Sequence, residues 1–159
     1  MRLKPDFNLE SIYEINTQSL LERGIKGVFF DLDSTVMKSK SGEFSPKTCE
    51  FLDKLAKNFK IAIVSNNTNK KYIEKVCACS KFQVYDTAKK PDIKVIQKAL
   101  DDFGLVAAEV AMVGDRPLTD ILAGKNAGMT TILVDSISKD EEHAVVRVVR
   151  WLERLTIKG

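Results

Sequence analysis

The chain has 159 residues, of which 44% are apolar and 30% are charged, and its formal net charge is +3. This composition is typical of a folded globular protein and excludes a disordered or fibrous chain. No apolar run approaches the length of a membrane span, and the residues after Met1 lack the apolar block of a signal peptide. We therefore expect a single domain that works in the cytoplasm.

Short apolar runs alternate with amphipathic segments along the chain. Runs rich in β-branched and aromatic residues predict strands, and apolar spacings of three and four residues predict the helices between them. The predicted strands cover residues 28–30, 61–64, 82–85, 110–113 and 131–134. The predicted helices cover residues 45–58, 69–76, 91–103, 119–127 and 141–155. Strands that are apolar throughout and separated by helices imply a parallel sheet with helices on both faces.

Several helix ends carry recognisable signals. Ser45 and Pro46 suit the N-cap and first turn of their helix, and Pro91 is expected to open another. Gly104 and Gly128 are expected to stop the helices that precede them. In the last helix we expect the apolar side chains to face inward, with Trp151 as a core or dimer contact: Val145, Val148, Val149, Leu152 and Leu155.

We predict one three-layer α/β/α domain of the Rossmann-like type over residues 1–159. Within it, residues 25–134 form the catalytic core, and residues 141–155 form a C-terminal helix. A leader, residues 1–24, precedes the core. The sequence leaves two placements for this leader, over the ligand-binding edge of the sheet or as a lipid-facing lip.

The three cysteines fit a reducing compartment. Cys77 and Cys79 stand too close in sequence to bridge each other easily, which leaves Cys49 over. A Cys-x-Cys pair without further cysteines or a nearby histidine is a poor zinc signal. We predict reduced, partly buried thiols rather than a metal site.

Polar residues follow the predicted strands, at the edge where open parallel sheets bind their ligands. The first two are acids in the stretch Phe-Phe-Asp-Leu-Asp-Ser-Thr-Val, and the later ones follow other strands. In chain order they are Asp31 and Asp33, then Ser65, then Lys90, and then Gly114-Asp115 with Asp120. Acids, a hydroxyl and a lysine are therefore expected to meet at one rim.

Phosphoryl transfer is the chemistry that uses such a set. Crowded acids are tolerated where a divalent cation neutralises them, and hard carboxylate oxygens suit Mg²⁺. A phosphate bound there needs cationic and hydroxyl donors, which Lys90 and Ser65 offer. One carboxylate can be a nucleophile and a second a general acid. Taken singly, each residue also fits a cap, a turn or a surface position, but the ordered combination favours the site.

In four ordered motifs over residues 25–134, the chain resembles the haloacid dehalogenase superfamily of phosphatases. The first motif, Asp-x-Asp-x-Thr/Val, is matched by residues 31–35, and the second, a hydroxyl residue ending an apolar strand, by Ser65. The third, a lysine before proline, is matched by Lys90-Pro91. The fourth, Gly-Asp followed by a later acid, is matched by Gly114-Asp115 and Asp120.

The resemblance implies a role for each matched residue. Asp31 would attack phosphorus to give an aspartyl-phosphate, and Asp33 would protonate the leaving alcohol and then activate water. Mg²⁺ would be held by Asp31, the backbone carbonyl of Asp33, and Asp115. The other matched residues would bind the phosphoryl oxygens, namely Ser65, Asn66 and Lys90, or support the site, namely Thr35 and Asp120.

The motif spacing leaves no room for the cap domains with which many family members enclose small substrates. Only one helix and one strand are predicted between Asp31 and Ser65, and one helix and a weak strand between Ser65 and Lys90. We therefore expect an open site. In this family an open site often accompanies proteins, nucleic acids or lipid headgroups as substrates, or small molecules enclosed by an oligomer partner.

A finer resemblance is to a capless branch that includes phosphatidylglycerophosphate phosphatases. It runs through residues 3–26, which cover most of the leader and the start of the core, and through residues 65–67, 88–91 and 114–128. Many members carry Asn in place of Ser34, and often Gln in place of Arg116. The resemblance implies dephosphorylation of phosphatidylglycerophosphate in phospholipid synthesis. A soluble metabolite, nucleotide or protein is the alternative substrate.

Lysines gather at residues 38–40, 54–60, 70–75 and 89–90, and charge alone leaves their purpose open. They form a solvated face, or they attract a phosphorylated substrate or an anionic membrane surface, which would make the protein peripheral to the membrane. A nucleic-acid-binding module would also use them, but no recognition motif supports it. The oligomeric state stays open, and His143 is interpreted as a surface or packing residue.

A receiver-like phospho-switch is a further alternative, because it also combines acids, a hydroxyl and a lysine on a parallel sheet. In receivers, the phosphorylated acid follows a later strand than the strand that precedes the acid pair. The corresponding strand end in this chain carries Ser65-Asn66-Asn67 and no acid. The residues therefore favour an enzyme over a switch.

Overall fold

The fold is seen in a computed structural model, which describes residues 3–137, 144–155 and 157. For residues 144–147 and 150 it describes the backbone only. In these residues six strands form one sheet: β1 (Phe7–Leu9), β2 (Gly27–Phe30), β3 (Lys60–Val64), β4 (Gln83–Tyr85), β5 (Val110–Gly114) and β6 (Thr130–Val134). The α-helices are α1 (Thr17–Glu22), α2 (Pro46–Leu55), α3 (Lys70–Cys79), α4 (Lys94–Phe103), α5 (Leu122–Ala127) and α6 (Ala144–Leu155). Short 3₁₀ turns lie at Ile12–Glu14 and Ala107–Glu109, and a π-helical segment, Pro117–Ile121, leads into α5.

The predicted three-layer α/β/α fold is confirmed. The sheet order is β1-β6-β5-β2-β3-β4, and every neighbouring pair is parallel. Helices α1, α2 and α3 pack on one face, and α4 and α5 pack on the other. Residues 31–59 hold one loop and α2, and residues 65–82 hold one loop and α3, so neither stretch contains a cap domain.

The strands are apolar throughout because both faces of the sheet are covered. In β2, Val28 and Phe30 join the core under α1 to α3, while Phe29 joins the core under α4 and α5. The same alternation recurs in β3 and β5. Burial of each such side chain contributes roughly 1.5–3 kcal/mol. The carboxyl ends of the central strands are thus held from both sides, which suits them to carry a site.

Two predicted helix starts are wrong. Pro91 does not open α4, which begins at Lys94, where the carboxylate of Asp92 accepts the backbone N–H of Lys94 at 2.9 Å. The helix expected from Thr119 is preceded by the π-helical segment, which begins at Pro117. Both helix starts follow a turn after a strand. Apolar spacing does not predict such a turn, because tertiary contacts determine it.

The leader contributes an edge strand rather than lying over the rim. Strand β1 pairs with β6, and Asp6 fixes the start of the pairing. Its carboxylate accepts the backbone N–H of Thr131 at 2.8 Å and the hydroxyl of Thr131 at 3.0 Å. Neither placement that the sequence left open for the leader is therefore seen for residues 7–9.

The last turn of helix α6 lies at the carboxyl ends of β5 and β6. The Arg154 guanidinium donates to the backbone carbonyl of Val134, the last residue of β6, at 2.8 Å and lies 3.3 Å from the Asp135 carboxylate. The Glu153 carboxylate pairs with Arg116, which follows β5, at 2.6 and 3.1 Å. These two ion pairs set which side of α6 faces the protein.

The prediction that the apolar side of α6 faces inward is therefore wrong for every residue whose side chain is described. The exposed side chains are Val148, Val149, Trp151, Leu152 and Leu155. Trp151 alone is 59% exposed, so it is not a core residue of this chain. Val145 and His143 lie outside the described side chains.

The cysteines are free, but they are not partly buried as predicted. Cys49 lies on α2, and Cys77 and Cys79 lie on α3, and all three are exposed. The apolar face of each helix is supplied by other residues, such as Leu52 on α2 and Val76 on α3.

Candidate active site

Four strands of the sheet bring the predicted residues together at its carboxyl edge. Asp31 follows β2, which is the strand between β3 and β5. Ser65 follows β3 and Asp115 follows β5, so both neighbour Asp31 across the sheet. Lys90 comes from the loop after β4, on the far side of β3. The structure thus places these residues at neighbouring strand ends of one rim.

Lys90 lies at the centre of the cluster, and its side chain is buried. The Nζ atom donates to Asp31 Oδ1 at 2.7 Å, to Asp120 Oδ1 at 2.7 Å and to the carbonyl oxygen of Val64 at 2.8 Å. An ammonium group has three donors, so all of them are used. Lys90 therefore ties the ends of β2 and β3 to the segment after β5.

The charges of this cluster depend on one another. Burial by itself lowers the pKa of Lys90, but the carboxylates of Asp120 and Asp31 outweigh it and hold that pKa above its ordinary value. Burial and the nearby charge of Asp31 raise the pKa of Asp120 to about 6, against the opposing effect of Lys90. The acids on either side thus keep the ammonium of Lys90 charged.

Asn66 fixes the loop that carries Lys90. Its side-chain oxygen accepts the backbone N–H of Lys90 at 2.7 Å, and its side-chain nitrogen donates to the Lys90 carbonyl oxygen at 3.1 Å. The Lys90–Pro91 peptide bond is cis. The neighbouring Ser65 is buried, and its hydroxyl oxygen accepts the backbone N–H of Asn67 at 3.1 Å.

Thr35 links the two acids that follow β2 and β5. Its hydroxyl lies 3.3 Å from Asp31 Oδ2 and 3.1 Å from Asp115 Oδ1. The turn that positions it passes through Ser34, whose φ of 69° lies in the left-handed region. Asn is among the residues that adopt this region most readily, so the position of Ser34 also suits Asn.

Asp33 stands apart from the buried cluster. Its Oδ1 accepts the backbone N–H of Lys40 at 2.9 Å and the hydroxyl of Tyr72, on α3, at 2.5 Å. Asp31 and Asp33 stand two positions apart in sequence but have different hydrogen-bond partners. Sequence reasoning missed Tyr72, because a tyrosine in the first turn of an amphipathic helix has the pattern of an ordinary packing residue.

Three acids are placed to hold a cation. One carboxylate oxygen from each of Asp31, Asp115 and Asp120 lies within 4.8 Å of the others. Gly114 makes room for this arrangement, since a Cβ atom there would collide with the Asp120 carboxylate. An all-oxygen, carboxylate-rich donor set fits Mg²⁺. Asp120 thus lies in the acidic group itself.

The central role of Lys90 predicts a large effect of its removal on stability. In Lys90→Met, two neighbouring carboxylates lose their counter-charge in a buried place, so the free energy of unfolding should fall by about 3–5 kcal/mol. Lys89→Met, which changes the exposed preceding residue, is the matched control and should unfold like the wild type. Urea titration of both variants without Mg²⁺ measures the difference, and equal stability of the two variants would contradict the arrangement.

Two related proteins that match most of this chain are both named as phosphatases. The chain is 29% identical to "Probable phosphatase YqeG" of Bacillus subtilis, over 94% of this chain and 87% of that protein. It is also 29% identical to "Phosphatidylglycerophosphate phosphatase 1, chloroplastic/mitochondrial" of Arabidopsis thaliana, over 97% of this chain and 47% of the plant protein. The chain thus spans about half the length of the plant relative.

Solved structures and a family model agree on the fold. A HAD phosphatase from Thermococcus onnurineus superposes with a TM-score of 0.58 at 15% identity, covering 76% of this chain and 89% of that one. At such identity the likeness shows the fold alone. The model of the family described as haloacid dehalogenase-like hydrolase matches residues 7–134, which is most of the chain. The chain therefore belongs to the haloacid dehalogenase-like hydrolase family.

Proposed function

We propose that the protein is a Mg²⁺-dependent phosphomonoesterase that acts through an aspartyl-phosphate on Asp31. The observation that carries the proposal is the contact of Asp31 with the buried ammonium of Lys90, beside the acidic group of Asp31, Asp115 and Asp120. Asp33, held separately, supplies a second carboxyl group at the same rim. The printed names of the bacterial and plant relatives support phosphatase activity.

In the first step, a carboxylate oxygen of Asp31 forms a bond to phosphorus. The bond between phosphorus and the ester oxygen breaks, its electron pair goes to that oxygen, and Asp33 gives the oxygen its proton. In the second step Asp33 takes a proton from water, whose oxygen attacks phosphorus and releases inorganic phosphate and the Asp31 carboxylate. Asp31 keeps 14% of its side chain exposed, so substrate and water have access.

The residues around Asp31 have distinct tasks in this proposal. The Ser65 hydroxyl accepts a backbone N–H, so its own hydrogen is available for a phosphoryl oxygen. The Asn66 side chain is engaged with Lys90, so its phosphate contact would come from its backbone N–H. Lys90 supplies positive charge, while Thr35 keeps Asp31 and Asp115 in place.

The acids fit Mg²⁺, and the proposal assigns it to Asp31, Asp115 and the backbone carbonyl of Asp33, with Asp120 in support. When bound, Mg²⁺ supplies positive charge that stabilises the phosphoryl group as charge develops in the transition state. Asp120 already pairs with Lys90 at 2.7 Å, and its Oδ2 accepts the Arg116 backbone N–H at 3.2 Å. These bonds suit it to hold Lys90 and the loop after β5.

Asp31→Asn tests the proposed nucleophile. An amide does not form the acyl phosphate, so we expect hydrolysis of p-nitrophenyl phosphate in Mg²⁺ to fall by at least about 10³-fold. Asp101→Asn, an exposed acid of α4, is the matched control and should keep wild-type activity. A chelator should abolish wild-type activity, and added Mg²⁺ should restore it. Full activity of Asp31→Asn would contradict the mechanism, and a stable phosphoprotein without turnover would favour a receiver-like switch.

For the substrate, we propose an anionic phospholipid monoester, namely phosphatidylglycerophosphate. The open rim carries exposed lysines in the loops after β2 and β4 and in the first turn of α3: Lys38, Lys40, Lys89 and Lys71. At the same edge of the sheet, the last turn of α6 lies at the ends of β5 and β6, and this helix exposes apolar side chains. Cationic and apolar groups at one edge suit the surface of an anionic membrane. Relatedness to the plant phosphatidylglycerophosphate phosphatase supports this choice.

The proposed mode of contact is peripheral. In the described part of the chain, no helix is long and apolar enough to cross a membrane. The exposed side of α6 carries Trp151 and Leu155, and Glu153 and Arg154 on the opposite side anchor it to the protein. The helix would lie in the lipid headgroup region with the catalytic rim facing the same surface. A lipid phosphate would then reach Asp31 without leaving the membrane.

The double variant Trp151→Gln/Leu155→Gln tests this docking. Binding to phosphatidylcholine vesicles that contain phosphatidylglycerol should weaken by about 10-fold or more, because two apolar groups are lost from the contact. Hydrolysis of phosphatidylglycerophosphate in such vesicles should fall in parallel, while hydrolysis of p-nitrophenyl phosphate should stay unchanged. Val106→Gln is the matched control, since Val106 is 62% exposed at the amino end of β5, on the opposite edge.

Three results would contradict the lipid proposal. The first is equal vesicle binding by the double variant and the control. The second is self-association through α6, seen by light scattering, without vesicle binding by the wild type. The third is a strong preference for a sugar phosphate, nucleotide or phosphopeptide over the lipid, which would favour the alternative substrates.

A further inference from the structure

Tyr72 connects α3 to the loop that follows β2. Its phenol oxygen donates to Asp33 Oδ1 and lies 3.4 Å from the sulfur of Met37. At its other end, the backbone N–H of Tyr72 donates to the Asn69 side chain, which caps α3, at 3.2 Å. The ring is therefore held at both ends.

The two oxygens of Asp33 differ in their surroundings. Oδ1 accepts two hydrogen bonds, from the Tyr72 hydroxyl and from the backbone N–H of Lys40. Within the described residues, Oδ2 accepts none. A carboxyl group with two donors fixed on one oxygen carries its own proton on the other oxygen. Because of this asymmetry, Asp33 can deliver a proton from Oδ2.

We infer that Tyr72 is a positioning residue for Asp33, directing Oδ2 of that residue toward the leaving oxygen of the substrate. The inference rests on the proposed function, in which Asp33 is the general acid. Tyr72 touches neither the acidic group nor Lys90, so it acts through Asp33 alone. Its place in the first turn of α3, where Asn69 caps the helix, keeps Asp33 in one orientation while substrates enter and leave.

The hydroxyl of Tyr72 stays a donor under working conditions. Burial and the hydrogen bond to Asp33 raise the pKa of Tyr72 above its ordinary value. The phenol is therefore protonated throughout the neutral range, whether Asp33 carries a proton or not. Such a fixed donor serves both steps of the reaction, because Asp33 gives a proton in the first step and takes one in the second.

A positioning role predicts dependence on the leaving group. An alkoxide such as that of glycerol must receive a proton as the ester bond breaks, whereas p-nitrophenolate leaves without one. The value of kcat/KM covers the steps up to departure of the leaving group, so it isolates the protonation by Asp33. Loss of Asp33 orientation should lower kcat/KM for alkyl esters and leave the nitrophenyl ester nearly unaffected.

Tyr72→Phe removes only the hydroxyl and tests the inference. For an alkyl phosphate, such as phosphatidylglycerophosphate in detergent, kcat/KM should fall by about 10-fold, the effect of one hydrogen bond to a charged group. For p-nitrophenyl phosphate it should change by less than about 2-fold. Tyr85→Phe is the matched control, because Tyr85 donates to Asp102 at 2.8 Å in the core under α4. That variant should show no dependence on the leaving group.

A mutant cycle separates positioning from a general loss of structure. In an Asp33→Asn background, adding Tyr72→Phe should change kcat/KM for the alkyl ester by less than about 2-fold, since the group being positioned is already gone. Equal losses with both esters, additive losses in the cycle, or no loss at all would overturn the role of Tyr72. If the wild type hydrolyses neither ester, the proposed function itself is contradicted, which is a different outcome.

Discussion

Lys90 places a buried ammonium group against the carboxylates of Asp31 and Asp120 and the carbonyl oxygen of Val64. A charge removed from water in this way is stable only when partners surround it, and the acids in turn need the ammonium. The contact therefore joins three loops, after β2, β4 and β5, with the end of β3. Other residues support this contact and the acids around it. Asn66 fixes the loop that carries Lys90, Thr35 contacts Asp115, and Gly114 leaves room for the Asp120 carboxylate.

The same contact explains how two acids so close in sequence take different tasks. Asp31 faces the ammonium and the acidic group, where charge is concentrated. Asp33 turns toward two neutral donors, the backbone N–H of Lys40 and the hydroxyl of Tyr72. Opposite environments of this kind are how proteins give two carboxyl groups different chemistry. In the proposed reaction, one becomes the nucleophile and the other moves protons.

The sequence predicted the fold and the position of the polar rim because both follow from local pattern. Apolar runs locate the strands, and the residue after a parallel strand falls at the carboxyl edge, which places Asp31, Ser65 and Asp115 together. Contacts across long sequence distances leave no such pattern. The bond from Tyr72 to Asp33 spans two elements, and the orientation of α6 depends on Glu153 and Arg154 meeting partners far along the chain. Apolar spacing showed that α6 has two sides but not which side faces the protein.

In the proposed reaction the phosphoryl group passes through the side chain of Asp31. This can be seen by quenching the enzyme in acid during turnover and reducing it with borohydride, which converts an aspartyl-phosphate to homoserine, followed by peptide mapping by mass spectrometry. We expect homoserine at residue 31, and none when substrate is omitted. Homoserine at another aspartate, or unmodified Asp31 in enzyme trapped during rapid turnover, would rule out Asp31 as the nucleophile.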